Sequence, residues 1–302
     1  MNCKNCKSNP VIKLPNSNVS LCKSHFNRYF EKKVRKCIRL YNLIDKKDKI
    51  LIALSGGKDS LSLAYILNQI LKPTKIKLEA LIIDEGSRKE EIKAAEKLCK
   101  KLKIKLHKTT YKKEFKFTLF DIAEKLKGVP CAACGTLRRS LINKKARELK
   151  ATKLATGHNL DDEAQSILMN QFKANMAISA RLGPVTGITD DPKFVRRIKP
   201  LYFLTEAEVE TFAKINNLSP GKKICPFRCG SFRKSVMIFL NDFEKKYPGT
   251  KHGIVKSFLE ILPLLKKGYS KTKLKYCKIC KEPCSQPDNI CQSCKIIKKL
   301  RR

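Results

Sequence analysis

The 302-residue sequence contains no tryptophan, and aromatic residues make up only 7% of it. A chain so poor in flat rings does not suit a single-strand binder that works by stacking bases on aromatic platforms. No stretch approaches the roughly 18–20 apolar residues of a membrane span. The segment from Met1 to Cys6 lacks the apolar region of a secretory signal. A cytoplasmic protein with no membrane partner is therefore expected. Acidic residues are scarce too: 27 Asp and Glu stand against 66 Lys and Arg, a formal net charge of +39. The cations run along the whole chain rather than forming a tail, which places them on a folded surface that favours a polyanion. Structured RNA, read by shape and phosphates, fits that surface best.

What the sequence does have is cysteine, 14 in all. In a reducing compartment this number points to metal rather than disulfides. Cys3-x2-Cys6 and Cys22-x2-His25 present four N/S donors on two short knuckles, and Cys277-x2-Cys280 with Cys291-x2-Cys294 presents four thiolates. Both spacings are those of tetrahedral structural zinc, so two Zn2+ are expected. Seven cysteines remain: Cys37, Cys99, Cys131, Cys134, Cys225, Cys229 and Cys284. Cys99 shares a helical stripe with Ile92, Ala95, Leu98 and Leu102, which reads as core, and Cys284 reads as a spare thiol.

The chain is organised around Ser55-Gly56-Gly57-Lys58-Asp59-Ser60. An apolar run from Lys49 to Leu54 before it reads as a buried parallel strand, and Leu61–Leu71 after it reads as a helix. Strand, glycine turn and helix make an anion cradle of backbone N–H groups at a helix N-terminus. It is not a Walker A loop, which would need glycine at Ile52 and Ser/Thr at Asp59. Further strands are expected at Lys77–Asp84, Ile104–His107 and Lys153–Thr156. Helices are expected at Arg28–Asp45 (basic and amphipathic), 89–102, Ala207–Leu218 behind a Thr205-x-x-Glu208 capping box, Ser231–Lys246 and Gly253–Leu265. Alternating strands and helices predict an α/β fold with a mostly parallel sheet, its ligands at the carboxyl ends of strands. His107 reads as a surface histidine and His158 as structural.

Cys131-x2-Cys134 opens a basic helix, and Cys225-Pro226 follows about ninety residues later. The spacing leaves two readings open. One is a redox pair of Cys131 and Cys134; the other joins them with Cys225 as three thiolates of an iron–sulfur cluster.

The Ser-Gly-Gly-Lys-Asp-Ser loop resembles that of the PP-loop ATP pyrophosphatases. Taken with Gly157-His-Asn-Leu-Asp-Asp-Glu-Ala-Gln165, the two cysteine motifs and the two terminal zinc patterns, the chain resembles the TtuA/NcsA group of tRNA 2-thiouridine synthetases along its full length. That resemblance implies a Rossmann-like PP-loop domain (adenine nucleotide alpha hydrolase-like) over residues 29–270, between a zinc finger at 1–28 and a zinc ribbon at 271–302. It implies ATP with Mg2+ at Ser55, Gly56, Gly57, Lys58, Asp59 and Ser60, adenine against Ile83, and a second nucleotide loop at Gly157 and Asp162. Asp59, Arg138 and Asp162 are implied in catalysis. Cys131, Cys134 and Cys225 are implied to hold a [4Fe–4S] cluster with one open iron.

The implied reaction adenylates the C2 oxygen of a tRNA uridine and replaces it with sulfur, at wobble U34 in preference to U54 in the T-loop. The sulfur donor is a ubiquitin-like thiocarboxylate protein or free sulfide, and the resemblance implies a homodimer. Cys229 departs from the family pattern as a possible fourth cluster ligand. The competing readings are persulfide chemistry without iron, 2-thiocytidine synthesis, and a non-catalytic zinc-ribbon RNA-binding protein. The cytidine enzymes use a second C-x2-C, whereas here the distal pair is Cys225-x3-Cys229.

Overall fold

The computed structural model describes residues 2–14, 17–126, 130–188, 191–221, 227, 232–270, 275–284 and 286–301. In chain order its strands are β1 (Ile12–Leu14), β2 (Val19–Leu21), β3 (Lys49–Leu54), β4 (Lys77–Asp84), β5 (Lys105–Thr110), β6 (Lys153–Ala155), β7 (Arg196–Ile198), β8 (Lys275–Tyr276) and β9 (Pro283–Cys284). The helices are α1 (Lys23–Leu40), α2 (Lys58–Leu71), α3 (Lys89–Leu102), α4 (Tyr111–Phe115), α5 (Leu119–Lys125), α6 (Cys131–Glu148), α7 (Leu160–Phe172), α8 (Met176–Ser179), α9 (Glu206–Ile215), α10 (Phe232–Lys246), α11 (Thr250–Tyr269) and α12 (Gln292–Arg301).

Five strands form one wholly parallel sheet in the order β5-β4-β3-β6-β7. The apolar β3 is central, with Ile50, Leu51 and Ile52 fully buried between helices on the two faces, as an all-parallel sheet requires. After β3 the chain winds through β4 to β5, then returns to the other side of β3 for β6 and β7. The strand order therefore reverses beside β3, and a crevice opens there at the carboxyl ends of the strands. Among the described residues, no helix is long and apolar enough to cross a membrane.

Helix α1 starts five residues earlier than its apolar stripe suggested, because Cys22 stands at its N-cap and His25 lies in its first turn. It stops at Leu40, where Asn42 turns the chain with φ of +45°. Phe26, Phe30, Val34 and Cys37 are buried on one face, and the Phe30 ring stacks on Phe212 of α9 at 3.8 Å between centroids. Cys99 is buried in the same core. His107 is not the free surface histidine expected: its Nε2 lies 2.6 Å from the Glu79 carboxylate on the neighbouring strand, which also takes Lys49 at 3.0 Å.

Candidate functional site at the strand ends

The glycine turn between β3 and α2 is held by its own serines. Ser60 Oγ accepts from the Ser55 amide and hydroxyl, each at 3.1 Å, and donates to the Gly57 carbonyl at 3.1 Å. Gly56 has φ of +74°, and a Cβ there would overlap the Glu91 backbone of α3. The position therefore demands glycine on both counts. Lys58 Nζ lies between Asp59 at 3.2 Å and Glu206 at 2.9 Å. Burial opposes its charge, but the two carboxylates outweigh burial and raise its pKa.

The loop after β6 packs directly onto this turn. A Cβ at Gly157 would lie 2.9 Å from the Asp59 carbonyl. Asn159 caps α7 by accepting from the Asp162 amide at 3.0 Å, and its Nδ2 donates to Asp59 at 2.9 Å. Asp162 is met by Arg233 at 3.2 Å, yet burial dominates and pushes its carboxyl up to about 6. His158 donates to or accepts from Thr156 at 2.9 Å. Burial, with Lys199, Arg197, Arg233 and Arg138 around it, holds His158 well below its ordinary pKa and hence neutral.

On the other side of β3, Ile83 lines a narrow cleft with Leu54, Ser55, Glu85, Arg88 and Arg138. Glu85 is only 2% exposed and binds Arg138 at 3.0 Å. Burial works against the Arg138 charge, and Glu85 more than restores it. One turn before Arg138 on α6 lies Cys134, buried, and two turns before it Cys131, exposed. Tyr111 donates to the Cys134 carbonyl at 2.8 Å, and burial pushes the Cys134 thiol up to about 11. The Cys131 thiol donates to the carbonyl of Phe227 at 3.3 Å, and the Phe227 ring packs edge-on against Phe120. Cys225 and Cys229 lie outside the described residues.

The terminal quartets are assembled. Cys3, Cys6, Cys22 and His25 bring their ligand atoms within 4.8 Å of one another, and so do Cys277, Cys280, Cys291 and Cys294. The His25 Nδ1 to Sγ distances of 3.2 to 3.5 Å and the Cys6–Cys22 separation of 3.6 Å match the edges of a zinc tetrahedron, about 3.5–3.8 Å for Zn–S and Zn–N bonds of ordinary length. The donor sets fit zinc. Cys284 is buried against the second quartet, and its sulfur accepts from the Gln286 amide at 3.4 Å.

Ser55–Ser60, Ile83, Gly157, Asp162, Arg138 and the Cys131/Cys134 pair thus converge on one end of the sheet. Sequence reasoning missed Glu85, Glu206, Arg233 and Phe227. Glu85 had a signal, since it directly follows β4 at the carboxyl end of the sheet. Arg233 had none, being 71 residues from Asp162.

Residues 23–219 match the model of the PP-loop domain, and residues 2–27 match that of the N-terminal LIM domain of the 2-thiouridine synthetase TtuA. The chain belongs to the TtuA/NcsA family of PP-loop tRNA-thiolation enzymes. It is 36% identical to the tRNA-5-methyluridine(54) 2-sulfurtransferase of Pyrococcus horikoshii, over 98% of this chain and 93% of that protein. It is 33% identical to the tRNA 2-thiolation protein NcsA of Haloferax volcanii, over 99% of each. Among solved structures, the U34-tRNA thiolase NcsA of Methanococcus maripaludis, which carries a [4Fe–4S] cluster, superposes with a TM-score of 0.84. That match has 32% identity and covers 99% of this chain and 96% of that one. The family's loop motif thus lies in this chain where β3 meets α2.

Proposed function

We propose that this protein is a cytoplasmic tRNA 2-sulfurtransferase that activates a uridine with ATP and exchanges its C2 oxygen for sulfur. The observation that carries the reading is the Asn159–Asp59 hydrogen bond, which joins the two expected nucleotide loops at the same end of the sheet as the Ser55-lined cleft that receives Arg138. Uracil's C2 oxygen is a poor leaving group. Its attack on the ATP α-phosphorus forms an O–P bond and expels pyrophosphate. Sulfide then adds at C2, the C2–O bond breaks, and AMP leaves with the oxygen.

In this scheme the loop amides after Gly56 and the Lys58 ammonium hold the phosphates, with Asp59 and Ser60 on the Mg2+ side. Ile83 faces adenine. Arg138, oriented by Glu85, stabilises charge growing on the α-phosphate, and Asp162, paired with Arg233, stands on the second nucleotide loop. Cys131, Cys134 and Cys225 are the ligands we assign to a [4Fe–4S] cluster; Phe227, two residues from Cys225, already contacts Cys131. Bound by three thiolates, such a cluster supplies an open iron able to hold sulfide. The terminal quartets are assigned one Zn2+ each. The division into 1–28, 29–270 and 271–302, a homodimer, and a thiocarboxylate protein or free sulfide as donor complete the proposal.

The two relatives named for a position differ, one modifying position 54 and the other U34. We assign the wobble uridine; both relatives match end to end, so the position of sulfur in thiolated tRNA decides between the two.

The test begins with iron, zinc and sulfide content of anaerobically purified protein. About four irons and two zincs, with iron lost in Cys131→Ala and kept in Cys229→Ala, support the assignment. Iron lost in both points to a closed cluster. Zinc alone with active enzyme establishes persulfide chemistry instead. Mass spectrometry of tRNA thiolated in vitro then locates the sulfur, and 2-thiouridine at U54 overturns the wobble assignment.

A further inference from the structure

Around buried His158 the positive charge exceeds what the neighbouring acids neutralise. Five cations gather beside it and one another, and three have acidic partners: Arg138 pairs with Glu85, Arg233 with Asp162, and Lys199 with Glu163 at 2.7 Å. Arg139 and Arg197 have none among the described residues. Nε of Arg197 is buried without any hydrogen-bond partner.

The register of α6 against β7 brings these two side by side. Arg147 and Asn143 donate to the Lys193 carbonyl at 2.6 and 2.8 Å, and Asn143 accepts from the Val195 amide at 3.1 Å. The helix therefore runs antiparallel to the chain entering β7. One helical turn further is Arg139, and two residues further along the strand is Arg197; both steps are about 6 Å. Gly135 makes room for the Arg139 guanidinium, whose Nη1 lies 3.2 Å from where a Cβ would stand. That turn directly follows Cys131 and Cys134.

Burial and Arg139 lower the Arg197 pKa to about 10; burial of its stem and Arg138 lower that of Arg139, whose side chain reaches solvent. Two guanidiniums held side by side without a carboxylate, Arg197 partly buried and Arg139 open to solvent, offer an anion a ready-made pair of donors. The ATP site as assigned lies around β3, β4 and β6, with the glycine loop for its phosphates. The arginine pair stands beyond it, at the β7 edge, where a polyanionic second substrate would enter.

We propose that Arg139 and Arg197 form a binding site for a phosphodiester of the RNA strand, next to the nucleotide being modified. This rests on the tRNA-thiolation reading above. The test measures binding of an unmodified tRNA transcript to the full-length, metal-replete protein between about 50 and 200 mM salt. The Arg139→Gln/Arg197→Gln double variant is expected to bind about tenfold more weakly and to reduce the salt slope by roughly 0.7 to 0.9, the share of one phosphate. Its ATP affinity is expected to match the parent. The charge-keeping double lysine variant should regain most of the slope, and Arg197→Gln alone should melt no lower than the parent, since it removes an unpaired buried charge. Parental tRNA affinity and slope in the glutamine variant overturn the inference. So does loss of ATP affinity with tRNA binding intact, which makes the pair a triphosphate site. A parent protein that neither binds nor thiolates tRNA brings down the functional reading itself.

Discussion

Asn159 uses both ends of one amide, its oxygen on the α7 amide of Asp162 and its nitrogen on the Asp59 carboxylate. One side chain thus starts a helix and fixes the loop residue expected beside Mg2+.

These two roles separate by substitution. Asn159→Ala loses the cap and should cost about 1 kcal/mol, or about 2 °C in melting temperature for a chain this size. Asn159→Asp keeps a good cap but sets a carboxylate against Asp59 in place of a donor. Because Asn159 is 3% exposed, this like-charge contact should lower the melting temperature near pH 7 by more than the alanine variant does, with the loss shrinking toward pH 4 as the carboxylates protonate, while kcat for tRNA thiolation falls roughly 100-fold. Equal activity loss and equal destabilisation in both variants would show that only the cap matters.

The loop glycines make a second case. At Gly56 a methyl group meets the Glu91 backbone at positive φ, and at Gly157 it meets the Asp59 carbonyl at 2.9 Å. Neither obstacle is the far end of a flexible side chain, so one loop must move. Either alanine variant should lower AMP formation roughly 100-fold, the scale of a 1 Å misplacement. Gly249→Ala is the control: its φ is +98°, but nothing lies within 4 Å of the added methyl. It should cost only backbone strain of about 1–2 kcal/mol and leave the ATP KM unchanged.

Local pattern explains which parts were legible beforehand. The apolar run of β3, the Gly56–Gly57 turn, the stripe that gives α3 its bounds, and the cysteine pairs of both terminal quartets all declare themselves within about twenty residues. The unforeseen parts are long-range pairs. Lys251 of α11 forms a buried ion pair with Asp161, 90 residues away, and Arg233 reaches back to Asp162 across the same fold. No periodicity encodes such partners. Helices α4 and α5 escaped because each is shorter than the span over which a helical stripe can be read. Their caps, Thr110 and Thr118, were the signal available.

Asp162 gives the protein a pH signature of definite sign. Its folded pKa of about 6 lies above the ordinary 3.8, chiefly through burial. The native state therefore holds this proton more tightly than the unfolded chain. The contribution to stability is fully present below about pH 4 and is lost as pH rises through 6. Melting curves of the parent and Asp162→Asn should coincide near pH 4. The variant should gain over the parent between pH 4 and 6, with a constant gap above. A gap independent of pH, or one that opens with the parent more stable, contradicts the raised pKa.

The two zinc quartets are tied into the fold unequally, and removing each ligand set should show it. Cys3 and Cys22 belong to one continuous core with Leu14, Leu21, Phe26, Phe30 and Phe212. Cys277, Cys284 and Cys294 form a small cluster of their own. That ribbon meets the body through the Arg147–Glu282 ion pair, the Tyr276–Asp191 hydrogen bond at 2.5 Å, and the apolar face of α12, where buried Leu300 with Ile296 and Ile297 packs into the cluster of Tyr111, Cys134 and Leu137. Loss of the first metal unpicks the N-terminus of α1 and exposes core, whereas loss of the second loosens the small cluster of Cys277, Cys284 and Cys294 while Leu300 keeps α12 seated on the body. Cys22→Ser and Cys277→Ser should each retain one zinc in place of two. The first should lower the main thermal transition by more than ~5 °C and the second by no more than ~2 °C. Calorimetry with zinc analysis distinguishes them. Equal drops would mean that the terminal ribbon is as deeply built into the fold as the finger before α1, which its small separate core argues against.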